Sequence, residues 1–270
     1  MSGLKIISKK NHIMGHLRFL LTFLISILVI SPVFSQVSAG DDQTVCGSLT
    51  TSLDGSDPGS DSGEWTVVGT APGTVTFDDA TLFNTNVTVG AYGSYTFRWT
   101  VNGDNDDVVI KFVQLPSVTA SNNGPVCVGE PLSLTGGLNG MDSYSWTGPD
   151  GFSSSLQNPT VSASATAANA GDYTLIITDS NGCQNTTSTT VIVNSLPSPS
   201  ASNNGPICEG DVLTLSGDPD GMSSYSWSGP LSFVSTLQDP VVSGEATLAM
   251  AGIYTLTVED NNGCQNSATT

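Results

Sequence analysis

The chain has 270 residues, with 24 Asp and Glu against 6 Lys and Arg, two histidines and five cysteines. That length admits one to three domains, and so acidic a surface repels phosphate backbones, which excludes nucleic acid as an expected partner. Both histidines, His12 and His16, fall in the first 35 residues, so the rest of the chain has no Ser-His or Cys-His nucleophile pair and no His-ligated zinc or iron.

Residues 1–35 read as a signal peptide. Lys5, Lys9, Lys10 and Arg18 give a positive start, Phe19 to Ile30 is an almost unbroken apolar run, and Ser31, Pro32 and Ser35 close it. The run is short for a bilayer span of about 20 residues, so removal is expected rather than a retained anchor. No membrane contact beyond that segment is expected. Its loss leaves Arg98 and Lys111 as the only basic residues against all 24 acids.

The remainder is organised by a repeat. Residues 117–189 align with 198–270 at a constant offset of 81, with roughly 40 of 73 positions identical. Cys127, Trp146, Tyr173 and Cys183 map onto Cys208, Trp227, Tyr254 and Cys264. A unit near 80 residues matches a small domain with its own core rather than a solenoid turn. Residues 40–115 read as a divergent first member, with Cys46, Trp65 and Gly93-Ser94-Tyr95-Thr96-Phe97 in matching places. The expected domains are therefore 40–115, 117–196 and 198–270. Short linkers containing Pro116, Pro197 and Pro199 predict a semi-rigid string. The last domain lacks a counterpart of Val191-Ile192-Val193-Asn194, so it is expected to be truncated before its final strand and the chain to be part of a longer one.

Within each repeat the pattern has period two. Leu132 and Leu134 alternate with Ser133 and Thr135, Tyr144 and Trp146 with Ser143 and Ser145, and Tyr173, Leu175 and Ile177 with Asp172, Thr174 and Ile176. Gly148-Pro149-Asp150-Gly151 and Asn181-Gly182 are turn signals. Ala163–Ala170 reads as a turn entering the next strand. No amphipathic helix is predicted beyond the signal segment. Short alternating strands separated by turns predict an all-β chain of tandem sandwiches.

The motifs Cys127-Val128-Gly129-Glu130, Tyr144-Ser145-Trp146-Thr147-Gly148-Pro149 and Gly171-Asp172-Tyr173-Thr174-Leu175, followed by Asn181-Gly182-Cys183, carry a resemblance across residues 40–270. With their counterparts in the third repeat, they resemble the immunoglobulin-like and PKD-like repeat domains of secreted bacterial surface proteins, common in Bacteroidota. The resemblance implies tandem immunoglobulin-like sandwiches. Trp146 and Trp227 would be core tryptophans on a middle strand, and Tyr173 and Tyr254 tyrosine corners. It implies little about function, because this fold hosts many roles.

Five cysteines in an exported chain suggest two bridges and one remainder. Recurrence within each repeat pairs Cys127 with Cys183 and Cys208 with Cys264. Cys46 is then left unpaired, as a free thiol or one that pairs outside the chain. A thiolate metal cluster is disfavoured by the lack of any C-x-x-C pair or His.

Acidic loops are the remaining candidates. Asp54, Asp57, Asp61 and Glu64 form one group, Asp104, Asp106 and Asp107 another, and Asp218 and Asp220 flank Pro219. Asp54, Asp57, Asp61, Asp104 and Asp106 are weak calcium candidates. None of these stretches matches the twelve-residue calcium loop, and solvated turns are the plainer reading. No other cofactor is expected. Trp65, Trp99, Trp146 and Trp227 could stack sugars, although their parity favours the core. No catalytic residue is identified. The expected role is a non-enzymatic, secreted, cell-surface spacer or adhesion module; the alternative is a carbohydrate- or protein-binding module attached to a secreted enzyme or adhesin, with the protein or glycan partner open.

Overall fold

A computed structural model describes residues 36–270; the signal peptide expected over 1–35 lies outside them. Among the described residues no helix is long and apolar enough to cross a membrane. Three β-sandwiches follow one another along the chain.

Module 1 comprises β1 (Gln43–Cys46), β2 (Thr50–Ser52), β3 (Gly63–Val68), β4 (Val75–Phe77), β5 (Asn86–Val89), β6 (Gly93–Val101) and β7 (Asp104–Val113). A sheet of order β1-β7-β6-β3 faces one of order β2-β5-β4. Along β6, Tyr95, Phe97, Trp99 and Val101 are buried while the residues between them are not. This is the period-two burial expected of a strand with one face on the core. Asn102 and Gly103, both at positive φ, join β6 to β7 as a two-residue hairpin turn.

Module 2 comprises β8 (Ala120–Asn122), β9 (Val126–Cys127), β10 (Leu132–Gly136), β11 (Ser143–Thr147), β12 (Ser153–Ser154), β13 (Thr160–Ser162), β14 (Gly171–Thr178), β15 (Gln184–Val191) and β16 (Val193–Asn194). Its sheets run β13-β10-β8 and β12-β11-β14-β15, and β16 pairs in parallel with β9. Module 3 repeats this with β17 (Ser200–Asn203), β18 (Leu213–Asp218), β19 (Ser224–Gly229), β20 (Phe233–Ser235), β21 (Val241–Ser243), β22 (Thr255–Glu259) and β23 (Gln265–Thr269), in sheets β17-β18-β21 and β20-β19-β22-β23.

Each module has its own buried cluster. Trp65 lies on β3, at the edge of its sheet, and Trp146 and Trp227 lie on β11 and β19, inner strands of the larger sheet of their modules; all three are buried. Their indole N–H groups donate to the carbonyls of Leu82, Gln157 and Gln238, so the rings are buried without an unpaired donor. The Tyr95, Tyr173 and Tyr254 hydroxyls each donate to the carbonyl four residues upstream, at 2.9 Å. In module 2 that carbonyl belongs to Asn169, in the 3-10 turn Ala167–Asn169 formed by the Ala-rich stretch. A core Trp, a tyrosine corner and two facing, largely antiparallel sheets are the immunoglobulin-like plan, with β1 pairing in parallel with β7 as β9 does with β16.

Candidate functional site: the joints between modules

The joint begins with a turn. After β14, the Asp179 carboxylate accepts the backbone N–H groups of Asn181 and Cys183 at 2.8 and 2.9 Å, and Gly182 takes φ +81°. Asp179 N–H in turn donates to the Cys183 carbonyl. Short Asp side chains hold such turns because they bond the backbone two residues on, and glycine supplies the positive φ. Module 3 builds the same turn from Asp260, Asn262, Gly263 and Cys264, with the carboxylate of Asp260 bonded at 2.8 and 2.9 Å. Both carboxyls are held below the usual carboxylate range. At Asp179, desolvation pushes upward, but the hydrogen bonds from Asn181 and Cys183 and the charge of Lys111 outweigh it. At Asp260 the Cys264 N–H leads, opposed by desolvation and aided by Asn262.

These turns present cysteines to the preceding module. Cys46, at the end of β1, is bonded to Cys183 with a Cα–Cα distance of 5.5 Å, and Cys127, at the end of β9, to Cys264 at 5.6 Å. Cys208 is free and exposed. The expected pairs Cys127–Cys183 and Cys208–Cys264 are therefore corrected, and Cys46 is not the unpaired one. The reason is geometric. Cys127 lies beside Asn194 at the far end of the last strand, whereas Cys183 lies just before that strand begins. Eleven residues of extended chain separate those two levels, which is roughly 36 Å at the rise of a strand. A disulfide tolerates about 7 Å between Cα atoms, so a bridge inside one module is out of reach. The opening cysteine is at the downstream end of its module and the turn cysteine at the upstream end of the next, and those ends meet.

Further contacts fix the joints. The Asn185 side-chain amide donates to the linker carbonyl of Pro116 at 2.8 Å, and its counterpart Asn266 to Pro197 at 2.9 Å. Lys111 of module 1 donates to the Asn181 side chain in the turn of module 2. Arg98, the other basic residue among the described residues, forms a two-pronged pair with Asp107 inside module 1. Cys183 and Cys264 are fully buried, while Cys46 is on the surface.

The acidic candidates are spent separately. Asp57 accepts the Gly59 N–H, Asp106 the Ala39 N–H, and Asp220 the Gln238 amide. Asp54 and Asp61 are exposed, before and after Asp57 in the chain, and Asp104 opens β7. Among the described residues, no three of His, Cys, Asp or Glu are grouped so as to hold a metal ion. All four tryptophans are at most 2% exposed, so none offers a ring face for sugar stacking. The joints escaped sequence reasoning because two pairings fit the spacing equally. Cys127–Cys183 recurs at 81 as Cys208–Cys264, and Cys46–Cys183 recurs at 81 as Cys127–Cys264. Strand polarity, which puts the two cysteines of one module at opposite ends, was the signal that separates them.

No family model matches the chain, and a search of curated proteins finds no match. Among solved structures, an I-band fragment of titin aligns with 87% of this chain and 94% of its own length, at 13% identity and a TM-score of 0.36. The Ig domains of Dpr2 in complex with DIP-Theta align over 84% and 95%, at 13% identity and a TM-score of 0.35. A PKD domain from the KIAA 1837 protein covers 30% of this chain and 91% of its own, at 26% identity and a TM-score of 0.27. The likeness is to immunoglobulin-like and PKD-like domains.

Proposed function

We propose that this chain is a non-catalytic extracellular spacer, a stretch of stalk that holds a partner element of a larger cell-surface protein at a set distance and direction. The observation that carries this reading is the pair of disulfides joining successive modules. Such bridges persist in oxidising compartments and are rare in the cytosol. They do not serve one module's core; they remove freedom from the hinge between two. Asn185 and Asn266 do the same without covalent bonds by holding the linkers to the modules they enter. Thirty-odd residues of a flexible Gly/Ser linker would give reach without direction, whereas a stapled series gives both.

Small-angle scattering of the oxidised and reduced protein tests the reading. The oxidised chain should scatter as one rod-like particle of fixed dimensions, and reduction should broaden the distribution of distances. A glycan array in which the intact tandem modules bind a specific sugar, or scattering that shows freely hinged modules with both bridges formed, would replace it with a binding role.

A further inference from the structure

Module 3 repeats the setting in which modules 1 and 2 present their joint cysteines. The backbone around Cys208 copies that around Cys127. Gly210, at φ +91°, donates to the Ala246 carbonyl, Ala246 to Asp211, and Asp211 to Cys208. In module 2, Gly129, at φ +95°, donates to Ala165, Ala165 to Glu130, and Glu130 to Cys127. Cys127 in that setting is bonded to the next module, and so is Cys46 at the matching position of module 1. Cys208 is the one of the three that is unpaired, and it is exposed.

Beside it lies a groove of about 290 Å³, lined by Ile207, Cys208, Leu213, Leu248, Met250 and Tyr254. In module 2 the same position holds β16. There Val126 and Val128 donate to the carbonyls of Ile192 and Asn194, and Val193 packs on the core. Leu248 is 77% exposed at the groove wall, a large apolar side chain with no neighbour over it.

We propose that this face of module 3 is an acceptor for one further module of the same kind. The groove takes an extended apolar strand in the manner of β16. Cys208 then pairs with the cysteine of that module's Asp-x-Asn-Gly-Cys turn. The occupant follows from the two joints already formed, in which a filled groove or strand edge, a linker and a turn cysteine occur together. Bond formation takes two electrons and two protons from the thiol pair. A small-molecule disulfide accepts them and leaves as two thiols. The inference rests on the stalk reading.

The test extends the chain in register: residues 190–270 are appended after Thr270, which aligns with Thr189. After refolding with oxidised glutathione, non-reducing peptide mapping should show Cys208 linked to the appended copy of Cys264, with Cys46–Cys183 and Cys127–Cys264 unchanged. Alkylation of Cys208 should fall at least tenfold, and Cys208→Ser should make the appended turn cysteine alkylatable in addition to the appended copy of Cys208, which is free in both chains. A Cys208 that stays alkylatable while the first two bridges form would overturn the proposal and leave the scattering test of the stalk untouched. A second arm appends residues 190–197 only. Hydrogen exchange at the Ile207 and Glu209 amides should slow at least tenfold; unchanged exchange there would overturn strand docking.

Discussion

Single residues decide whether each sandwich closes. The Tyr173 hydroxyl donates to the Asn169 carbonyl, and the ring packs edge-on against Phe152 at 5.5 Å. Tyr173→Phe keeps the ring and removes the bond, so it should cost about 0.5–1.5 kcal/mol in chemical denaturation, the net worth of a hydrogen bond whose acceptor is half-buried. Gly148 is a tighter constraint. A Cβ there would come within 2.3 Å of the Tyr173 ring. Gly148→Ala should therefore cost about 1–3 kcal/mol through overpacking, and Gly229→Ala should behave alike because Tyr254 stands equally close. The pH profile follows from the same residues. Tyr173 is raised by desolvation and then by the Asp150 charge, and Tyr254 by desolvation. A raised tyrosine contributes stability that is intact below its unfolded value near 10 and lost as pH climbs through the folded value. Asp179 and Asp260 are lowered, so their contribution is intact above an unfolded value near 3.9 and lost as pH falls through the folded one. Thermal melts should show a plateau between these limits, with losses at both extremes.

At the scale of turns and strands, the alternation of Leu132, Leu134, Trp146, Tyr173, Leu175 and Ile177 was legible, and all six are buried. Ile176, out of phase by sequence, is 38% exposed, as its parity requires. The Asp179-Ser180-Asn181-Gly182 turn was legible too, because glycine and aspartate act within a few residues of chain. The staples were not. Which cysteine meets which depends on how two sheets stack end to end, a relation hundreds of ångströms of contour apart that local pattern does not encode. Asn185 is similar: it reads as a polar strand residue, and only the fold puts its amide on the Pro116 carbonyl. Asn185→Ala should leave the melting of module 2 nearly unchanged while widening the angular distribution between modules 1 and 2, measured by residual dipolar couplings in the reduced protein. An unaltered distribution would show that the clamp does not orient the joint.

Across the whole molecule the two bridges close overlapping loops, each spanning 137 residues. In the chain-entropy model a loop of that size stabilises by about 5 kcal/mol. Cys46→Ser should therefore destabilise modules 1 and 2 together rather than one alone, seen as an earlier and broader thermal transition. Tension gives a sharper reading. From Val37 the shortest covalent route passes to Cys46, crosses to Cys183, returns along the chain to Cys127, crosses to Cys264 and ends at Thr270. That route is less than a third of the 233 residue steps along the backbone. Pulled from its ends, the oxidised chain should stop extending near about 250 Å, and the reduced chain near about 800 Å. Single-molecule force spectroscopy with and without reductant separates the two.

The overlap also changes what a protease can accomplish. Any one peptide bond cut between Cys46 and Cys264, including those in both Pro-containing linkers, falls inside at least one closed loop. The fragments stay tied and migrate as a single band until thiol is added. On the proposed spacer reading, the bridges turn an otherwise severing clip into a harmless nick.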